Sequence, residues 1–168
     1  MFTDNQSLNV RLRGIRPGIH TIDLTVPAST LEIPEIDTPI HVSGELEVSD
    51  TYIFRLKLHS VQHFICDRCT DAFDASIDPS LEVIYAPIDH ETEFEDSGYL
   101  HTFEPMTLYE VDLTADVHDA LMLAVPMKRL CKPNCPGLPV TDEHLPSFDE
   151  RFASLGGLYE KLKSEEGQ

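Results

Sequence analysis

Between Cys69 and Met127 the chain has no lysine and no arginine, although the same stretch carries fourteen acidic residues. Over all 168 residues there are 30 Asp and Glu against 12 Lys and Arg, a formal net charge of −18. Outside that stretch the chain is close to balanced, with 12 basic against 16 acidic residues. A surface of this sign repels phosphate backbones and attracts basic partners; its plainer use is solubility. Long apolar runs are also missing. The longest, Ala120 to Met127, falls far short of the ~18–20 residues a bilayer span needs. The opening MFTDNQSLNVRLRG lacks the basic-then-apolar order and the cleavage site of a secretory leader. The expectation is a cytoplasmic protein without a membrane segment. There is no glycine-rich phosphate loop and no alternating strand–helix rhythm, which argues against a nucleotide-binding α/β fold. No Ser/His/Asp or Cys/His grouping stands out, and the carboxylates are too numerous to single out a pair. Nothing in the sequence supports an enzyme.

What is present is mostly period-two alternation. Leu8, Val10 and Leu12 alternate with polar residues, and Ile22, Leu24 and Val26 repeat the pattern after a turn at Arg16-Pro17-Gly18. Pro27 to Pro39 holds three prolines without a clear period and reads as a connecting loop. Ile40 to Glu47 alternates around Gly44, a position expected to mark a bulge. The run from Thr51 to Ile65 then sets Tyr52, Phe54, Leu56 and Leu58 against Ile53, Arg55, Lys57 and His59, giving one buried and one wet face. Ala72–Ile77 and Ser80–Tyr85 are shorter strands, so this part reads as an antiparallel meander. Asp89 to Asp96 is a charged loop. Helical spacing follows in Leu113, Val117, Ala120, Leu121 and Ala124, with Asp112 or Thr114 as N-cap and Pro126 as stop. A second helix is predicted after Pro146, with a Ser147/Glu150 capping box and a stripe of Phe148, Phe152, Leu155, Tyr159 and Leu162. The fold class expected is α+β: an antiparallel sheet or partly open barrel with two helices in the C-terminal half.

Four cysteines arrive as two close pairs, Cys66-x-x-Cys69 and Cys131-x-x-x-Cys135. A reducing compartment points away from structural disulfides and towards metal or redox chemistry. Two thiolates on a tight turn suit one tetrahedral ion, and Lys132-Pro133-Asn134 with Pro136-Gly137 supply turn residues for the second pair. Together the pairs would form a Cys₄ zinc site, structural because every coordination position is filled by protein. The alternative is a thiol redox switch at Cys66 and Cys69. That chemistry depends on a helix N-terminus, whereas strands flank this pair. His59 and His63 are within reach as substitute ligands. Arg68, Lys128, Arg129 and Lys132 flank the cysteines. They are expected either to balance the charge of a thiolate-bound ion or to touch RNA phosphate or a partner.

The order of these features resembles the YceD family of large ribosomal RNA subunit accumulation proteins. The resemblance rests on Gly44 and its strand, the long strand into Cys66-Asp67-Arg68-Cys69, and Phe73. It continues through Val111-Asp112-Leu113, the helix ending Leu121 to Pro126, Leu130 to Cys135, Gly137-Leu138, and the tail Asp149 to Leu155. It runs from about Ile40 to Leu162. Many relatives carry a further Cys-Pro-x-Cys-Gly after the Gly-Leu, where this chain has Pro139-Val140, and Glu150 stands where the family has proline. The resemblance implies one structural zinc on Cys66, Cys69, Cys131 and Cys135. It also implies a single domain over 1–168: N-terminal strands and linker at 1–39, sheet, acidic loop, helix and knuckles at 40–136, and a loop and helix at 137–168. The implied role is non-catalytic, in accumulation or processing of 23S ribosomal RNA and large-subunit assembly. The acidic surface suggests that a basic ribosomal or assembly protein is contacted, with 23S rRNA reached directly or through it. A zinc-ribbon nucleic-acid module is a further alternative, weakened by the charge.

Overall fold

The computed structural model describes residues 7–89, 99–104, 107–138 and 155. The chain divides into two units, Met1–Cys135 and Pro136–Gln168. Of the second unit only residues 136–138 and 155 are described, so the architecture is that of the first.

Eight strands and one α-helix make up the described elements: β1 (Asn9–Arg11), β2 (Gly18–Val26), β3 (Ile40–Val48), β4 (Tyr52–Ile65), β5 (Ala72–Ile77), β6 (Ser80–Pro87), β7 (Leu100–Phe103), β8 (Glu110–Asp112) and α1 (Thr114–Leu123). The expected α+β arrangement with two C-terminal helices is therefore corrected to a mostly β structure with one helix among the described residues. The physical reason is the period of the apolar residues. From Leu8 to Val83 they alternate, so strand faces build the core, and α1 adds only Val117, Ala120 and Leu121 as buried apolar side chains. The helix predicted after Pro146 lies, apart from Leu155, outside the described residues.

A six-stranded sheet runs β2-β3-β4-β6-β7, with β5 off this path and paired to β4, while β1 and β8 form a separate antiparallel pair. The fourteen-residue β4 changes partners along its length. Tyr52–Lys57 pair with β6 on one edge, and Ser60–Ile65 pair with β5. On the other edge β3 accompanies β4 as far as His59. Beyond that point the Glu35 carbonyl accepts the His63 N–H at 2.8 Å, so the connection between β2 and β3 continues the edge. The meander is antiparallel as expected except at β6–β7, which is parallel. Such a pairing needs a crossover, and local alternation carries no sign of it.

The 27–39 connection is better anchored than its prolines suggest. Leu31, Ile33 and Ile36 are all buried, and a single 3₁₀ turn spans Ala28–Thr30. Gly44 does not mark a bulge, since the β3 register runs unbroken against both neighbours. A Cβ at this position would instead sit 2.0 Å from the Arg55 carbonyl oxygen. Glycine is required there for close strand approach.

The core gathers Leu24, Val42, Leu46, Phe54, Leu56, Leu58 and Val83 from the sheet with Leu113, Val117 and Leu121 from the helix region. Each such side chain contributes about 1.5–3 kcal/mol on burial. At the helix entrance the Asp112 carboxylate accepts the Thr114 N–H at 2.9 Å. This satisfies one of the free donors of the first turn, and Asp116 is favoured by the helix dipole there.

Candidate metal centre

Cys66 is the first residue past β4, at the end of its buried face, and Cys69 follows within a tight turn. The Thr70 N–H donates to the Cys66 carbonyl at 2.9 Å, and the Cys66 N–H donates to the Asp71 carbonyl at 2.9 Å. Thr70 takes a left-handed φ of 62° to close the turn. The second knuckle is folded by the Cys135 N–H on the Lys132 carbonyl at 3.1 Å.

The knuckles are also bound to each other. The Asp67 N–H donates to the Arg129 carbonyl at 2.8 Å, and the Asp67 carboxylate accepts the Arg129 N–H at 2.6 Å. The Arg129 guanidinium lies 3.9 Å from the same carboxylate and stacks over the Phe64 ring, 5.8 Å from its centroid. Arg68 reaches across to the Cys135 carbonyl at 2.9 Å. Residues sixty-odd positions apart are thus held in register by main-chain bonds as well as by side chains.

This frame brings all four thiols together, with every Sγ within 4.8 Å of the others. Cys66 and Cys135 are 3.8 Å apart at sulfur, and Cys69 and Cys131 are 3.7 Å apart. A tetrahedron with metal–sulfur bonds of ~2.3 Å has a sulfur–sulfur edge of ~3.8 Å. A disulfide would need ~2.05 Å; all four cysteines are free. The donor set, its spacing and its geometry fit a tetrahedral thiophilic ion, and these residues could hold one. Cys66 and Cys135 are buried, while Cys69 and Cys131 are half-buried.

The electrostatics are those of crowded thiols. Backbone N–H groups of Cys131, Cys69 and Arg68 point at the Cys66 sulfur and hold its pKa down to about 6 against burial. At Cys69 an N–H from Asp71 pulls the pKa down, but burial and the neighbouring side chains outweigh it and the thiol is pushed up. Burial, with the Cys135 and Cys66 sulfurs, raises Cys131. One thiolate forms readily and its charge opposes the next; a bound cation would relieve this.

The two histidines considered as substitute ligands are held elsewhere. His63 is flanked by Asp37 at 2.8 Å and Asp74 at 2.5 Å, and His59 is paired with Asp78. Arg68 and Arg129 brace the knuckles, whereas Lys128 and Lys132 are exposed and make no ion pair among the described residues. Sequence reasoning missed Asp67, whose only signal is its place inside a CxxC turn. It also missed a pair in which the half-exposed His101 on β7 binds the buried Asp116 at 2.9 Å and stacks on Tyr85 at 4.8 Å between ring centroids. Burial and the charges of Asp116 and Asp112 push the Tyr85 hydroxyl pKa up.

Fold and site together define a β-sheet protein carrying a four-thiol cluster on two knuckles, one at a strand end and one beyond the helix. The model of the family described as large ribosomal RNA subunit accumulation protein YceD matches residues 54–159, a span that contains all four cysteines. This is more than half of the chain, and the chain belongs to the YceD family. That description gives a role in ribosomal RNA accumulation and names no enzymatic activity. No curated protein and no solved structure shows significant similarity to the chain. No helix among the described residues is long and apolar enough to cross a membrane.

Proposed function

We propose that this chain is a non-catalytic, zinc-stabilised cytoplasmic factor in 23S ribosomal RNA accumulation and processing and in large-subunit assembly. It works as a single domain through a basic protein partner. The observation that carries the metal part is the four-sulfur cluster, whose members all lie within 4.8 Å of one another. Two pairs are 3.8 and 3.7 Å apart, close to the ~3.8 Å edge of a thiolate-bound zinc, and all four positions are filled by protein. Zinc bound there would supply a crosslink between the two knuckles and neutralise the thiolates; no position is left for a substrate. Cys66, the thiol best able to ionise, is only 1% exposed, which weighs against a redox couple that must meet an outside oxidant.

The partner reading is supported by charge. The net charge of −18 opposes direct tracking of an RNA backbone, while exposed acids along β5, β6 and α1 suit a basic protein. Arg68, Lys128, Arg129 and Lys132 form the one cationic neighbourhood of the described cluster, and Lys128 and Lys132 are its free contributors to any RNA or partner contact. The test is an affinity pull-down of the tagged full chain from its own cells, with bound proteins and RNAs identified before and after ribonuclease. Large-subunit proteins or assembly factors that persist after ribonuclease are the expected result. Recovery of no ribosomal material would sink the proposal. Tight, steeply salt-dependent binding of the isolated chain to 23S rRNA would overturn the protein-partner part.

A further inference from the structure

The bonds that close each knuckle differ from those that join the two. Within each knuckle a main-chain bond sets the spacing of its own pair: Thr70 N–H on the Cys66 carbonyl, and Cys135 N–H on the Lys132 carbonyl. Between the knuckles run two cross-ties. Asp67 meets Arg129 across sixty-two positions, and Arg68 donates to the Cys135 carbonyl across sixty-seven. Bringing such distant segments together costs chain entropy before their sulfurs can share a ligand. Once Asp67 and Arg129 are joined, the remaining reach is short. Cys66 and Cys69 lie one and two residues from Asp67, and Cys131 and Cys135 lie two and six from Arg129. Thiols held this way are assembled in advance, so little of the free energy of binding a cation goes into ordering the chain.

The role of Asp67 follows from what it touches. Its carboxylate is not among the clustered donor atoms, so it is not a ligand. Oδ2 accepts the Arg129 main-chain N–H at 2.6 Å, and the Asp67 N–H donates to the Arg129 carbonyl at 2.8 Å. Oδ1 lies 3.9 Å from the Arg129 Nε, and the two side chains are 37% and 43% exposed. An ion pair this long and this open is worth little. A short N–H bond to a carboxylate is among the stronger hydrogen bonds in proteins. The acceptor oxygen, more than the charge pair, therefore fixes the start of the second knuckle against the first.

We propose that Asp67 is a positioning residue for the metal centre. By holding the Arg129 N–H, its carboxylate oxygen sets the separation of the two thiol pairs, and the Arg129 guanidinium plays a lesser part. The proposal rests on the reading of a four-thiolate metal site and gives a role in it to a residue that is not a ligand.

The full-length chain, stripped with a chelator and kept reduced, is titrated with Co²⁺ alone at a temperature where every variant is folded. Binding is followed by the sulfur-to-cobalt charge-transfer absorption. Asp67→Ala should weaken Co²⁺ binding about 10–100-fold, with the form of the saturated spectrum unchanged because all four sulfurs remain. Asp67→Asn keeps an acceptor oxygen without the charge and should bind within about threefold of wild type. Arg129→Ala keeps the main-chain N–H and should also cost no more than about threefold. These two variants decide the matter if Asp67→Ala does not fold. The assignment is overturned if Asp67→Ala binds as wild type does, or if either Asp67→Asn or Arg129→Ala weakens binding about tenfold or more. A wild-type chain without a cobalt–thiolate band would remove the metal reading as well. A wild-type band with an indifferent Asp67→Ala would remove the positioning role and leave the metal reading standing.

Discussion

The two halves of β4 obey the same alternation and do different things with it. In the first half Phe54, Leu56 and Leu58 are at most 2% exposed, β3 and β6 hydrogen-bond both edges, and Arg55 on the outer face is ion-paired to Glu47 and Glu82. In the second half the inward positions are Ser60, Gln62 and Phe64, and the partners are a short hairpin strand and a loop carbonyl. The strand ends in a knuckle of two thiols that, with the second pair, could hold a metal ion. Stability is concentrated in the first half. Unsatisfied groups, and with them the candidate chemistry, are concentrated in the second.

Substitutions can break this contrast. The largest effect is expected in the first half, from Gly44→Ala. The new Cβ would meet the Arg55 carbonyl at 2.0 Å and force β3 away from β4. The expected loss is about 3–4 kcal/mol, read from urea denaturation. Gln62→Leu in the second half should go the other way, gaining about 1–2 kcal/mol in the same assay, because an unpaired buried amide is replaced by an apolar side chain of similar size. A loss there would mean that Gln62 is satisfied in solution.

Arg55→Ala should cost about 0.2–1 kcal/mol. Arg55 bonds Glu47 at 2.8 Å and Glu82 at 2.9 Å, which raises its pKa and stitches three strands, but all three side chains are about half-exposed. The smallest effect concerns His63. Hydrogen bonds to Asp37 and Asp74 raise its pKa above the usual 6.5. Its contribution to stability is therefore full below pH ~6.5 and is lost as pH rises through the folded-state value. Thermal unfolding of wild type should fall relative to His63→Gln across that window. Parallel curves for the two proteins would show that the aspartates do not hold the ring.

Much of this was legible in the residues themselves. Alternation located β1 to β6, and Asp112 with Pro126 bracketed α1, because each depends on neighbours in sequence. Two close cysteine pairs announced a shared site. The parallel β6–β7 pairing, the β1–β8 pair and the Asp67–Arg129 tie were not legible, since each joins distant segments whose meeting is set by the assembled sheet. Gly44 was noticed for the wrong reason: its sequence shows an absent side chain but not the carbonyl that requires the absence. Gln62 did leave a signal. Two polar residues at consecutive inward positions of an otherwise apolar face, Ser60 and Gln62, break the pattern, and both are buried without a hydrogen-bond partner for their side chains.

The clasp at the end of β4 is the central claim, and zinc-edge X-ray absorption on protein purified without chelator tests it most directly. One zinc per chain with four sulfur neighbours at ~2.3 Å is the expected result, and Cys66→Ser should lose the metal together with roughly 10 °C or more of Tm. A metal-free folded chain, a disulfide between the pairs, or zinc with nitrogen or oxygen ligands in place of thiolates would contradict it.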